Sequence, residues 1–265
     1  MRQSQPDVFA HPRNREFLKS IFGENNITEA LRQRLLTSIA TLRTDMLSEA
    51  MSPLDSDRYV VGTLRGAHEN SYGFVHPNEK PMRIYLTELY FKPPLDKLAQ
   101  CTREPFEVLA NAQILTLIHE QTHISLNTLN IAYVDAILPL YDLIDTNTEQ
   151  GRNVYEVLYS GQTRGLSTLT PLQNLFKLWD HASDLWIDPE PSTVAGIIRL
   201  AESRTLSAAR YLFTNNDSTR LKIILNNADS LTLVVAILNR TLEVVPATPL
   251  VPAAIPEILL GFNQP

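Results

Sequence analysis

Leu115-Thr116-Leu117-Ile118-His119-Glu120-Gln121-Thr122-His123-Ile124 is the stretch on which the reading of this chain turns. It carries His-Glu-x-x-His inside a run, 106–126, that contains neither proline nor glycine, so the pattern predicts the interior of one helix. Helical residues four apart share a face, so the imidazoles of His119 and His123 can reach a single ion at about 2.0–2.1 Å. Glu120 then falls where a carboxylate can take a proton from water, the general-base position of a zinc (Zn2+) hydrolase. The apolar residues Ile114, Leu115, Leu117 and Ile118 suit a helix buried in a core.

Upstream, residues 1–57 read as a helical segment. Leu31, Leu35, Ile39, Leu42 and Met46 recur at the three-to-four spacing of one buried face, with Asn26 or Thr28 as N-cap. The texture then changes. Arg58 to Leu64, Tyr72 to His76 and Met82 to Leu86 are short, rich in β-branched and aromatic residues, and bounded by turn formers such as Pro77-Asn78-Glu79-Lys80-Pro81. They predict a small mixed or antiparallel sheet of hairpin-connected strands, with an edge near Ile84–Leu86. Further helices are expected around 138–143, 172–187, 193–213, 218–226 and 228–244, and an extended proline-bearing tail follows from Pro246. The expected fold class is α+β. A catalytic core over 58–150 has a small sheet and an active-site helix, and a helical part over 151–265 packs on it as one unit.

Composition narrows the partners. The 265 residues carry 23 Lys and Arg against 29 Asp and Glu, a formal charge of −6, with no basic run, which argues against nucleic acid. The longest apolar stretch, 231–238, is too short to span a bilayer, so no transmembrane segment is expected. The first residues lack the layout of a Sec signal peptide, which leaves the cytoplasm or export by another route. Cys101 is the single cysteine, so neither an intrachain disulfide nor a cysteine cage for zinc is available.

A catalytic zinc site needs a third protein ligand and one open position. Glu149 stands where a later glutamate ligand would fall, but Pro139 and a polar loop intervene, and no third histidine follows at the spacing His-x-x-Gly-x-x-His would need. The segment resembles the aspzincins, the deuterolysin-like and peptidyl-Lys metallopeptidases, and in particular the aspzincin-like domains of bacterial toxins. Gln121-Thr122 fits their His-Glu-x-Ser/Thr-His helix, and Thr128-Leu129-Asn130-Ile131-Ala132-Tyr133 fits their Thr-x-Asp-x-x-Tyr element in spacing. Gly73 to Asn78 and Ile84 to Phe91 look like the family's strand, turn and edge-strand approach, and the resemblance spans roughly residues 58–135.

The resemblance implies a zincin-like core, an endopeptidase acting on a protein or peptide substrate, and a secreted toxin or effector. It also implies Tyr133 as the oxyanion donor. The aspartate position holds Asn130, a neutral donor weaker than a carboxylate. Asn130 and Asp135 therefore stand nearly level as third ligand, with Asp142 behind them. The rival reading is a non-catalytic binding protein on a zincin scaffold whose metal site has degraded. His68, His76 and His181 are isolated and read as surface or hydrogen-bonded residues. Trp179 and Trp186, seven apart, read as one helical face.

Overall fold

The computed structural model describes residues 7–52, 57–62, 71–103, 107–132, 141–164, 166–180 and 185–240. Within them the chain is mixed α and β and mostly helical. It opens with α1 (Pro12–Phe22) and α2 (Glu29–Met46), followed by three short strands, β1 (Tyr59–Val61), β2 (Gly73–Val75) and β3 (Ile84–Leu86). The short helices α3 (Glu88–Phe91) and α4 (Asp96–Ala99) lead to the long α5 (Val108–Leu126), and α6 (Glu149–Arg164) comes next. A two-stranded unit, β4 (Leu178–Asp180) and β5 (Leu185–Ile187), precedes α7 (Pro191–Leu200), α8 (Leu206–Asn215), α9 (Asp217–Ile224) and α10 (Ala228–Arg240).

Local chemistry explains the helix starts. Pro12 opens α1, where its missing N–H costs nothing. Thr28 caps α2, its side chain accepting the Leu31 N–H at 3.2 Å, and the helix buries Leu31, Leu35 and Leu42 as the apolar spacing predicts. Side chains of the two opening helices join Ile131, Ala132, Phe176 and residues of α7 to α10 in the largest core cluster.

The sheet order is β1-β3-β2, with β3 parallel to β1 and antiparallel to β2. Ile84–Leu86 is therefore the central strand and not an edge. Its main chain is bonded on both sides, through Gly62 N–H to Leu86 O and through Thr87 N–H to Tyr72 O. Ile84 and Leu86 point the same way under the two-residue period of a strand, and pack with Met51 and with Leu117 and Ile124 of α5. The sheet thus lies on α5, whose other neighbours are α2, α3 and α10.

Downstream the sequence expectations need four corrections. Residues 172–187 are not a helix: Trp179 and Trp186 are register partners of the antiparallel β4–β5 pair. Seven residues separate two positions on one helical face, but they also separate register partners of two antiparallel strands, so the spacing alone does not choose between the two periods. The single helix expected over 193–213 is two, broken at Glu202, which takes a positive φ of 52°. The second starts afresh at the Thr205 cap, which accepts the Ala208 N–H at 3.1 Å. Helix α6 was not anticipated, because its polar first turn reads as loop. In the expected helix at 138–143, the described part is a single 3-10 turn, Tyr141–Leu143. The tail from Pro246 lies outside the described residues.

Candidate metal centre

Helix α5 ends at Asn127, which adopts the left-handed conformation (φ 53°, ψ 42°) and donates its N–H to Thr122 O. The chain turns back there and runs beside the start of α10. Leu129 N–H bonds Asn226 O at 2.8 Å and Ala228 N–H bonds Leu129 O at 3.0 Å. Asn227, wholly buried, completes the seam: its Oδ1 accepts from Ile131 N–H at 2.9 Å and Ala132 N–H at 3.2 Å, and its Nδ2 donates to Ala132 O at 3.0 Å. The loop bearing Asn130 is therefore fixed against both helices.

His119 and His123 lie one turn apart on α5 with their Nε2 atoms 3.3 Å from each other. The hydroxyl chain beside them decides one tautomer. Thr122 donates its only hydroxyl hydrogen to His119 O at 2.7 Å, so Thr128 Oγ1 must be the donor in its 2.7 Å contact with Thr122 Oγ1. Thr128 then offers His123 Nδ1 only acceptors, its carbonyl at 2.9 Å and its hydroxyl at 3.2 Å. His123 carries its proton on Nδ1 and leaves Nε2 with a free lone pair. On the other ring, His119 Nδ1 lies 2.6 Å from Asp229 Oδ1, which commits that nitrogen to donation as well.

Two nitrogens bound to one tetrahedral ion at about 2.0–2.1 Å lie about 3.3 Å apart, which is the spacing found. Asn130 lies beside the pair. Its side chain interacts with both imidazoles, and its buried Oδ1 has no hydrogen-bond partner. A buried acceptor beside two imidazoles with no donor of its own is the environment a cation satisfies. His119, Glu120 and His123 offer ligand atoms all within 4.8 Å of one another, so the cluster can hold a metal ion.

Charge follows the same layout. Burial works against protonation of His119, but the Asp229 carboxylate, helped by Glu120 and Asn130, outweighs it and pushes the ring up to about 9. Burial, reinforced by His119, pulls His123 down to about 4. The two rings are thus driven apart, His119 toward the charged form and His123 toward the neutral one. Burial also pushes Glu120 up to about 7, a poise suited to gaining and losing a proton near neutrality. Gly73 of β2 makes room for it: a Cβ there would stand 3.4 Å from Glu120 Cγ and 3.2 Å from both Thr116 Cγ2 and Tyr85 O.

Of the residues named from sequence, His119, Glu120, His123 and Asn130 come together here. Tyr133 and Asp135, like His68 and His181, lie outside the described residues. Asp142 is engaged by Arg13 in an ion pair, and Glu149 is an exposed residue opening α6. His76 packs its ring on Phe74 and Tyr85. Sequence reasoning missed Asp229 and Asn227. Their sole local signal is two polar residues at the head of the very apolar stretch 231–238, which reads equally well as an ordinary helix start.

Among the described residues no helix is long and apolar enough to cross a membrane. Comparison of the chain with protein-family models, with curated proteins and with solved structures finds no match.

Proposed function

We propose that this chain is a zinc-dependent endopeptidase with a zincin-like, aspzincin-type centre, in which His119, His123 and Asn130 hold the metal. The observation that carries the proposal is the 3.3 Å separation of two Nε2 atoms whose partner nitrogens are already committed as donors. Zinc held by His119, His123 and Asn130 would supply Lewis acidity toward a scissile carbonyl and water. Glu120 takes the proton of the attacking water on its carboxylate and passes it to the leaving amine. Tyr133 is the proposed oxyanion donor.

An extended peptide would be held by strand addition, at β2 rather than at the central β3. Since Thr87 N–H bonds Tyr72 O, the next bonded pair is Phe74 with Tyr85, and Gly73 and Val75 turn their N–H and C=O groups to the outer edge, which no described strand covers. Gly73 of that strand lies over Glu120. The resemblance of the motif further supports a secreted toxin or effector with a protein target.

The deciding experiment joins metal content with one substitution. The purified protein should carry about one zinc per chain. Glu120→Ala should abolish cleavage of an unfolded protein substrate while zinc stays bound. Proteolysis that survives Glu120→Ala refutes the mechanism. Zinc-free protein insensitive to chelator would instead support the second reading, a binding protein on this scaffold, which the neutral Asn130 at the ligand position favours.

A further inference from the structure

The donor set is neutral. His119 and His123 offer imidazole nitrogens and Asn130 a carboxamide oxygen. A divalent ion in a buried site with three neutral donors is held weakly unless a carboxylate stands close. Two are near. Glu120 gives up its charge each time it takes a proton, so it is no standing counter-charge.

Asp229 is placed differently. It meets His119 at Nδ1, on the opposite side of the ring from Nε2, and its side chain is 6% exposed, so water screens it little. It sits in the first turn of α10, where the helix N-terminus favours a negative side chain. The hydrogen bonds of Asn227 tie that same turn to the Asn130 loop, so the two residues are held in one rigid seam.

We infer that Asp229 is the counter-charge of the metal centre: the negative charge absent from the ligand position at Asn130 is delivered through the His119 ring. This rests on the metal-binding half of the function proposed above and is independent of peptidase activity. Fixing the ring's tautomer needs only an acceptor at Nδ1, charged or not. Delivering charge needs the carboxylate, which polarises the imidazole and strengthens Nε2 as a donor.

The test is zinc affinity of the full chain, measured by competition with a chromophoric chelator, in wild type, D229N, D229A, N130D and the double variant N130D/D229N. D229N keeps an acceptor but no charge, and should weaken zinc by about 10–100-fold, nearly as much as D229A. N130D should bind more tightly than wild type, and the double variant should return close to it. D229N binding like wild type, or a double variant no tighter than D229N, overturns the inference. Should D229N fail to fold, D229A and N130D/D229A take its place: D229A binding zinc like wild type, or the double variant binding no tighter than D229A, overturns the inference. A wild-type chain that takes up no zinc overturns the metal site itself.

Discussion

The side-chain amide of Asn227 pairs with the backbone of Ala132 in both directions, accepting from its N–H at 3.2 Å and donating to its carbonyl at 3.0 Å across 95 residues of chain. A single buried amide thus substitutes for a strand partner beside the candidate ligand Asn130. Asn227→Ala would leave Ile131 N–H and both Ala132 groups unpaired and buried. The expected loss is about 3 kcal/mol or more, read by denaturant unfolding of the chelated protein. Asn227→Asp should fare little better, because an oxygen would then face Ala132 O. A loss below about 1 kcal/mol for Asn227→Ala would mean the seam does not hold the loop.

Thr128→Val tests the two-acceptor arrangement at His123. It removes the hydroxyl that Thr122 accepts from and the 3.2 Å contact, but keeps the carbonyl 2.9 Å from Nδ1. The tautomer should persist. Stability should fall by about 1–2 kcal/mol, with zinc affinity reduced less than tenfold, milder than for D229N. A zinc loss as large as that of D229N would show that the hydroxyl, not the carbonyl, sets the His123 proton.

Gly73→Val addresses the contact between sheet and helix. The new side chain would press on Tyr85 O, a backbone atom of the central strand, and on Glu120 Cγ. Overpacking of this kind costs about 1–3 kcal/mol. Because the atoms nearest a Cβ at Gly73 belong to Thr116, Tyr85 and Glu120, turnover should drop while zinc stoichiometry holds. Equal losses of both would place the damage in the ligands.

Much of the centre was legible because its chemistry is local. His119, Glu120 and His123 sit at fixed helical spacing, so periodicity places them, whereas Asn130 was reached through the resemblance of Thr128–Tyr133 to the aspzincin element. Asp229 and Asn227 were not legible, since nothing near residue 229 encodes a partner 110 positions earlier; the link exists only after α10 docks on α5. The order of the sheet was hidden for the same reason. Three strands of similar composition do not declare which is central, and the parallel pairing of β1 with β3 is set by tertiary packing. Where the period itself was ambiguous, as for Trp179 and Trp186, the helical reading failed.

The buried titrations give a pH dependence with a definite sign for the metal-free protein. Glu120 rises from 4.5 to about 7, so its contribution is present below 4.5 and is lost as pH climbs through 7. His119 rises from 6.5 to about 9 and behaves alike, contributing below 6.5 and losing that contribution as pH passes 9. His123 falls from 6.5 to about 4 and has the opposite sign, contributing above 6.5 and failing as pH drops through 4. Between 4.5 and 6.5, Glu120 and His123 therefore oppose each other. From 6.5 to 9 His119 acts with the last of Glu120, and both lose stability as pH rises. At about 1.4 kcal/mol per unit, the fall amounts to a few kcal/mol. Chelated protein should show a Tm that declines over that window. One equivalent of zinc should flatten or reverse the decline, because the ion takes the proton's place on His119, and calorimetry in buffers of different ionisation enthalpy should register the proton released. A chelated Tm that rises from pH 6.5 to 9 would show that His119 does not hold that proton.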